Sequence, residues 1–408
     1  MENLQVAILS KITPPNFVIF RKIQLYFAKF RTMQKRIYDE ILTEKLKNNR
    51  IILVKGPKSS QKSTYLCELI AQSSTYTLFD GEDKKTRTAL STLSVKTIQE
   101  MIGENRYVLF KEAQNFDRLQ EFVELFLFSG NFDQTLVLSC SFDPLLMDDL
   151  VNALHIDDAV FTIFPPLFQE LANEIGVVKF DQQLTRYLIF GSYPQVLGAE
   201  QPQTVLEEVL EQTIFTHLNP EERINKSEKL MKMLQFMAFK LGEPLSYNEI
   251  GEYAGLDNET VERYIDLLVR SFVLLSLPSY CNDHKYELKK THTFYFTDNG
   301  IRNALIKNFN EIDLRIDVDI LWRNWLIAEK MKWDAFIKKD VQYFFWRTHT
   351  KQQMDFIEII DGNIFAYKSL WDKKKRPKFP KSFTTYYPTA GTYALNRSTY
   401  WGFLSKKN

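Results

Sequence analysis

The sequence predicts an α/β fold built on a parallel sheet, and two observations carry this prediction. Four apolar residues at 51–54 are typical of a strand buried in such a sheet, and a Gly-Pro break and a helical apolar period from Leu66 follow them. Short apolar runs separated by helical stretches then recur at residues 75–79, 107–110, 135–138 and 160–164. Strands that alternate with helices predict right-handed crossovers, and ligands of such sheets bind at the carboxyl ends of the strands.

Residues 56–63 connect the first predicted strand to its helix and read Gly-Pro-Lys-Ser-Ser-Gln-Lys-Ser. They match the phosphate-binding pattern G-x-x-x-x-G-K-[ST] except at Gln61, where the second glycine belongs. The alternative is a Ser- and Lys-rich turn, but strand, loop, Lys-Ser and helix come in the required order. The candidate cofactor-binding residues are Gly56, Pro57, Lys58, Ser59, Ser60, Gln61, Lys62, Ser63 and Thr64.

The replacement of the motif glycine by Gln61 determines how tightly we expect the loop to bind ATP. A glycine at this position tolerates positive φ and lets backbone N–H groups approach a phosphate. If the loop requires a left-handed residue here, glutamine costs roughly 1 to 2 kcal/mol, and its side chain crowds the phosphate. Lys62 can still pair with a phosphate, and Ser63 can still offer its hydroxyl. The loop therefore predicts weak binding of ATP.

A second departure follows the predicted strand at 107–110. In P-loop enzymes this strand ends in an aspartate of the Mg²⁺ shell, usually followed by a glutamate that activates water. Here Lys111 takes the aspartate position, and Glu112 is the candidate catalytic residue. Two unit charges 4 Å apart interact by roughly 4 kcal/mol at an effective dielectric of 20, so a cation beside Mg²⁺ is strongly opposed. We expect ATP to bind without Mg²⁺, we assign no metal ligand, and we expect hydrolysis to be impaired.

Length, composition and charge restrict the classes of protein to which this chain can belong. The chain has 408 residues, which predicts two or three domains, and its 45% hydrophobic and 25% charged residues are typical of a globular protein. The net charge of +1 predicts no whole-molecule attraction to nucleic acid. Three scattered cysteines suit a reducing cytoplasm, so we expect a cytoplasmic protein without a zinc site. No apolar run approaches the roughly 18 to 20 residues of a membrane span, and we expect no membrane partner.

The first 32 residues form a basic extension that carries one acid, Glu2, and interleaved aromatic residues. Such an arm could touch a membrane surface or nucleic acid. The alternatives are an accessory segment and a misread upstream start, because residues from Met33 onward begin a self-sufficient helix.

The middle of the chain predicts helices followed by a hairpin. Ser246 and Glu249 form a capping box for one helix, Gly255 suits its exit, and Asp257 can cap the next. Apolar stretches at 272–277 and 293–296 then predict a hairpin, so this part of the sequence is typical of a winged helix. Its loop carries Lys285, Lys289 and Lys290. The last ninety residues are predicted to be α/β, with a helix near 321–331, strands at 343–346, 354–360 and 364–367, and a Lys-rich loop at 373–381.

Several separated motifs together resemble one family. The loop at 56–63, Glu112-Ala113-Gln114 and Phe190-Gly191-Ser192-Tyr193-Pro194 are similar to those of prokaryotic AAA-type ATPases that carry a winged helix and a C-terminal domain like restriction endonucleases. Further similarity lies at 296–303, at 346–348 and at Asp355-Phe356. The resemblance runs from Met33 to the end, beyond the basic extension at 1–32. It implies a P-loop ATPase-like domain at 33–166, a helical lid at 167–222, a winged helix at 223–310 and a nuclease-like α/β domain at 311–408.

The last domain departs from the family pattern. The resemblance places the metal-binding acids of the nuclease at Arg323, Gln353, Asp355 and Lys368, and its catalytic lysine at Leu370. Only Asp355 keeps its residue type, and one carboxylate does not hold a nuclease metal, so we expect this domain to be inactive. An arginine that is usual before the fifth strand is also missing between 154 and 158.

These observations predict an ATPase-family protein that binds ATP weakly and acts through nucleotide- or partner-dependent binding. One alternative is an active ATPase in which Glu112 and a shifted acid, Asp80, repair the metal site. The other is a DNA-associated winged-helix protein whose P-loop is only structural. The third predicted helix of that domain exposes Glu259 and Glu262, which would repel a phosphate backbone, so we expect any DNA binding to be weak and driven by phosphate contacts.

Overall fold

The computed structural model describes residues 36–91, 94–142, 151, 156–215, 220–281 and 291–405. The predicted basic extension at 1–32 and the three lysines of the predicted wing, Lys285, Lys289 and Lys290, lie outside these residues.

The first domain is built on a five-stranded parallel sheet, and all five predicted strands are present. The strand order is β2-β3-β4-β1-β5, with every neighbouring pair parallel. The elements in chain order are α1 (Asp39–Asn48), β1 (Ile51–Lys55), α2 (Lys62–Ala71), β2 (Tyr76–Asp80), α3 (Lys84–Leu90), α4 (Val95–Ile102), β3 (Tyr107–Lys111), α5 (Leu119–Phe128), β4 (Thr135–Cys140) and β5 (Val160–Thr162).

The position of β1 explains its continuous apolar sequence. It lies between β4 and β5, where Leu53 pairs with both Leu138 and Val160. Successive side chains point to opposite faces, so Leu53 packs into the hydrophobic cluster on one side of the sheet and Ile52 into the cluster on the other. A strand covered on both faces cannot alternate apolar with polar residues. The loop that follows β1 therefore starts from a rigid, fully buried strand.

Helices and a small antiparallel sheet follow. The helical segment predicted after residue 166 is confirmed as α6 (Phe168–Ile175), α7 (Val177–Phe190), α8 (Pro194–Leu197) and α9 (Pro202–Phe215). The predicted boundary at 222–223 falls inside the next helix, α10. This helix opens a unit of α10 (Pro220–Phe239), β6 (Pro244–Leu245), α11 (Tyr247–Ala254), α12 (Asn258–Arg270), β7 (Leu274–Pro278) and β8 (His292–Phe296).

The caps of this unit agree with the sequence predictions. Ser246 and Glu249 make the capping box of α11, and Gly255 ends that helix in the left-handed conformation. The carboxylate of Asp257 accepts a hydrogen bond from the backbone N–H of Thr260 at the start of α12. The sheet has the antiparallel order β6-β8-β7, and the two-residue strand β6 is a member that the sequence analysis missed.

The last part of the chain is a four-stranded mixed sheet with helices. Strands β9 to β11 are antiparallel, whereas β12 runs parallel to β11, in the order β12-β11-β10-β9. The predicted helix and three strands are confirmed, and β12 with the two helices beside it were not predicted. The elements are α13 (Asn299–Leu305), α14 (Val318–Phe336), β9 (Gln342–Arg347), β10 (Gln353–Ile360), β11 (Asn363–Ser369), α15 (Lys381–Tyr386), β12 (Gly391–Leu395) and α16 (Tyr400–Leu404).

One hydrophobic core joins the parts that follow the first sheet. The ring of Phe168 on α6 makes edge contacts with Trp325 on α14 and with Tyr400 on α16. The carboxylate of Glu329 accepts a hydrogen bond of 2.7 Å from the backbone N–H of Phe168. These contacts join the helical segment to the last sheet although more than 150 residues separate them in sequence.

Candidate nucleotide-binding site

The loop between β1 and α2 contains two residues with positive φ that are not glycine. Ser59 and Gln61 both have left-handed backbones, with φ of 63° and 60°. Gln61 thus adopts the left-handed conformation for which the sequence analysis assigned a cost to glutamine. Without a glycine, each such residue costs roughly 1 to 2 kcal/mol, so this loop is built with strain that a glycine at 61 would not carry.

The backbone around Gly56, at the start of the loop, leaves no room for a side chain. Its φ is +155°, and a Cβ placed on it would lie 2.1 Å from the carbonyl oxygen of Ile163. Ile163 cannot retreat easily, because its backbone N–H donates a hydrogen bond of 2.8 Å to the carbonyl oxygen of Lys55. The start of the loop is therefore in close backbone contact with Ile163, which follows β5.

Replacing Gly56 with alanine should lower the free energy of unfolding by about 2 to 4 kcal/mol, through backbone strain and the clash with Ile163. Chemical denaturation followed by circular dichroism measures this difference. The matched control is Gly198→Ala, since φ at Gly198 is −99° and no atom lies within 4 Å of the added Cβ. Equal stabilities of the two variants would contradict the tight approach seen at Gly56.

Three neighbouring strands deliver polar side chains to the loop. Lys62 begins α2, is buried, and donates to the carbonyl oxygen of Pro57 at 3.4 Å. The hydroxyls of Ser63 and of Ser139 at the end of β4 lie 2.9 Å apart. The hydroxyl of Ser60 is buried and has no hydrogen-bond partner among the described residues. A buried, unpaired hydroxyl is costly, so this atom fits a loop that accepts an anionic ligand.

Glu112 follows β3 and is held by several donors. It is buried in a left-handed conformation, and its carboxylate accepts hydrogen bonds from the Ser141 hydroxyl and, at 2.7 Å, from the Gln114 amide. The Lys58 ammonium lies 3.1 Å from its other oxygen. Burial acts to raise the pKa of Glu112, but the charges of Lys62 and Lys58 and these hydrogen bonds outweigh burial and lower that pKa to about 2.

The lysines at 58 and 111 share one network of carboxylates. The Lys58 ammonium lies 2.6 Å from Glu82, which follows β2. The Lys111 ammonium lies 3.0 Å from Asp80 and 2.5 Å from Glu82. Asp80, the acid considered as a repair of the metal site, is thus bound by the lysine that replaced the usual aspartate. Mg²⁺ does not fit this arrangement, because the ammonium of Lys111 already occupies the space between the two carboxylates.

Burial changes the charge state of Lys62. Burial lowers the pKa of its ammonium to about 8, with a further lowering from the charge of Lys58 and an opposing effect of Glu112. Lys62 therefore carries its charge at neutral pH but loses it under mildly alkaline conditions. A phosphate beside it would favour the charged form.

The structure brings together most of the predicted loop residues and adds others. Glu82, Ser139 and Ser141 were missed by the sequence analysis. The two serines follow the apolar part of β4, and polar residues at the carboxyl end of a parallel strand were the available signal. The Ser59 hydroxyl also lies 2.9 Å from the side-chain oxygen of Gln212 on α9, so the helical segment contacts the loop directly.

The family comparison agrees with this strand order and loop. Residues 48–172 match the model of a family described as "AAA domain". This segment is an AAA-type P-loop domain. Residues 181–312 match a second model, described as a domain of unknown function. A protein of Haemophilus influenzae described as uncharacterized is 23% identical over 240 residues, which cover 55% of this chain. The match spans 60% of the length of that relative.

Solved structures similar to this chain share little sequence with it. A Walker-type ATPase of Pyrococcus abyssi is 14% identical, with a TM-score of 0.43 over 67% of this chain and 96% of that one. AMPPCP-bound DnaA from Aquifex aeolicus is 13% identical, with a TM-score of 0.25 over 58% and 88%. Drosophila ORC bound to AT-rich DNA and Cdc6 is 10% identical, with a TM-score of 0.23 over 72% and 99%. Because these TM-scores are below 0.5, we assign the fold from the strand order and the family match.

Neither a membrane-spanning helix nor a metal-binding cluster is present among the described residues. No helix there is both long enough and apolar enough to span a bilayer. In the same residues, no group of three or more His, Cys, Asp and Glu side chains is placed to hold a metal ion.

Proposed function

We propose that the AAA-type domain binds ATP weakly through the loop at 56–64, without needing Mg²⁺, and that hydrolysis is impaired. The observation that carries this proposal is the pairing of Lys111 with Asp80 and Glu82, at the place where a metal ion would need carboxylates. Lys62, Ser63 and the unpaired hydroxyl of Ser60 support phosphate binding.

Two features of the loop make the binding weak. Gln61 holds a left-handed conformation and carries a side chain where a glycine would leave room for a phosphate. Lys58 is already paired with Glu82 and Glu112, so a nucleotide gains from its charge only by competing with these carboxylates. Three cations and three carboxylates, Lys58, Lys62, Lys111, Asp80, Glu82 and Glu112, nearly neutralise one another in the free protein.

The state of Glu112 supports impaired hydrolysis. A general base works best when its pKa lies near the working pH, and the surroundings of Glu112 lower its pKa to about 2. One of its oxygens also accepts hydrogen bonds from Ser141 and Gln114, and the other lies 3.1 Å from the Lys58 ammonium, so a water molecule would compete with these partners. The rival function, an active ATPase, would need Glu112 and Asp80 to leave these partners.

Calorimetric titration with ATP tests the proposal. We expect weak binding whose affinity changes by less than about threefold between Mg²⁺ and a chelator. The reason is that the carboxylates of the site are already paired with lysines and do not form a free cluster for the metal. The affinity should fall as pH rises above 8, since Lys62 has a pKa of about 8 and loses the charge that attracts phosphate. A large gain on adding Mg²⁺, or steady turnover of Mg²⁺-ATP, would favour the active ATPase instead.

We further propose that residues 220–296 form a winged helix that serves as a protein contact. Support comes from the order of α10, β6, α11, α12, β7 and β8 and from the antiparallel sheet. The exposed face of α12 carries Glu259, Glu262 and Asp266 beside Arg263. Acids on this helix oppose a phosphate backbone, so DNA binding through α12 is the less favoured alternative.

The last domain is, in our proposal, a restriction-endonuclease-like fold without nuclease activity. Its order of one helix, three antiparallel strands and a fourth parallel strand supports the fold. The four positions expected to carry metal-site residues, Arg323, Gln353, Asp355 and Lys368, do line one cleft. Asp355 is engaged by Arg323 at 3.3 Å and by the backbone N–H of Ser369 at 3.2 Å, which supports the absence of a metal role.

The protein would then act by binding, with nucleotide or a partner stabilising one arrangement of its parts. The contact between Ser59 in the loop and Gln212 on α9 supports this link, because a nucleotide that moves the loop must also disturb the helical segment. Any such effect is limited by the difference in affinity of the nucleotide for the two arrangements.

A further inference from the structure

The last domain has an open cleft of about 450 Å³ whose lining includes four basic side chains and one carboxylate. Arg323 comes from α14, Lys368 from β11, and Lys351 and Lys378 from loops on either side. The only carboxylate among the residues that line the cleft is Asp355, on β10. A concave surface lined by one sign of charge concentrates its field on a small ligand of opposite charge.

The single carboxylate is already neutralised. Asp355 is buried, one of its oxygens lies 3.3 Å from the Arg323 guanidinium, and the same oxygen accepts a hydrogen bond of 3.2 Å from the Ser369 backbone. The pair fixes Arg323 at the base of the cleft and leaves Asp355 with little charge to offer a metal ion. Hard cations such as Mg²⁺ need several oxygen ligands, which this cleft does not supply.

The lysines of the cleft lack such a partner. Within the part of the chain that the structure describes, Lys351, Lys368 and Lys378 have no carboxylate within 4.0 Å. Lys351 and Lys378 are exposed and Lys368 is half-buried, so their ammonium groups can reach a ligand in the opening. The side-chain amide of Gln353 adds a further donor at the wall. Three unneutralised cations around one concavity repel one another, and an anion would relieve that repulsion.

We propose that this cleft is a metal-independent binding site for a phosphate group. A phosphate oxygen accepts hydrogen bonds from ammonium, guanidinium and amide donors, which are the groups that line the opening. The phosphate could belong to a small phosphorylated molecule or to a nucleic-acid strand, whose chemistry at this site is the same. The inference does not depend on ATP binding at the P-loop.

Calorimetry with pyrophosphate in the presence of a chelator tests this site in the full chain. The Lys62→Ala substitution is placed in every protein, so that the P-loop does not compete for the ligand. We expect binding that weakens by about tenfold or more in the double variant Lys368→Ala/Lys378→Ala, because two charge-assisted contacts are lost. The control double variant, Lys84→Ala/Lys179→Ala, removes two exposed lysines elsewhere and should bind as tightly as the parent.

A second arm distinguishes the source of the phosphate. Fluorescence anisotropy with a short labelled single-stranded DNA, also with a chelator, should show the same loss in the Lys368→Ala/Lys378→Ala variant if the site takes a strand. Binding of pyrophosphate alone supports the proposal and assigns a small phosphorylated ligand. The proposal is overturned if neither probe binds, if the two double variants bind equally, or if binding requires a divalent cation. Thermal unfolding of each variant checks that the fold is retained.

Discussion

Replacing Lys62 with alanine should reduce the affinity for ATP by about a hundredfold or more. Lys62 begins α2 at the end of the loop and is buried, and burial lowers the pKa of its ammonium to about 8. Loss of a buried charge-assisted contact to phosphate costs roughly 1.5 to 3 kcal/mol, and the loss of long-range attraction adds to it. Calorimetry at pH 7 with a chelator measures the change.

The pH dependence separates this charge effect from a simple loss of shape. In the parent protein the affinity should fall as pH rises above 8, because the phosphate favours the charged form of Lys62 and that form becomes scarce. In Lys62→Ala any residual binding should not change across this range. Lys84→Ala, which removes an exposed lysine from α3, is the matched control and should leave both affinity and pH profile unchanged. A similar pH profile in Lys62→Ala would show that another group is responsible.

The sequence was sufficient for the strands that lie inside sheets. Residues 107–110 are apolar without interruption because β3 is covered on both faces. A strand buried in this way is therefore recognisable from its continuous apolar sequence. The edge strand β12 has no such signal, since Gly391–Leu395 mixes polar and apolar residues and is mostly half-buried. Strand β6 has only two residues, which is too short for any periodicity.

The loop motif raised the question whether position 61 is left-handed, but did not decide it. Gln61 adopts positive φ although its side chain disfavours that conformation. Tertiary contacts of the loop override the local preference of one residue. Such an override can be anticipated from a motif but not from the propensity of glutamine.

The charge network of the site could not be predicted from the sequence. Glu82 bridges Lys58 and Lys111, although 24 and 29 residues separate it from them. The loop that carries Glu82 lies very close to the end of β3. Gly81 permits this approach, because an added Cβ would lie 2.3 Å from the carbonyl oxygen of Glu112. Sequence spacing identifies the acids near strand ends, but only the packing of these loops decides which lysine each acid meets.

Replacing Lys111 with aspartate should create a Mg²⁺ site that the parent protein lacks. The lysine ammonium lies 3.0 Å from Asp80 and 2.5 Å from Glu82, so its removal takes this cation away from both carboxylates, although Glu82 stays paired with Lys58. The substitution adds a third carboxylate beside them. Hard cations prefer such clusters of oxygen ligands. Without metal the variant should be less stable than the parent, since like charges then face one another.

The thermal midpoint measured with and without Mg²⁺ is the readout. A ligand at a hundred times its Kd stabilises the folded state by about 2.7 kcal/mol, so the midpoint of Lys111→Asp should rise by several degrees with Mg²⁺ while that of the parent stays constant. Lys111→Ala is the control: it removes the cation but adds no carboxylate, and a much smaller rise is expected. ATP should also bind Lys111→Asp more tightly with Mg²⁺ than with a chelator. If Mg²⁺ shifts neither the midpoint nor the ATP affinity of this variant, the lysine is not what keeps the metal out, and Asp80 and Glu82 must be oriented away from the phosphates.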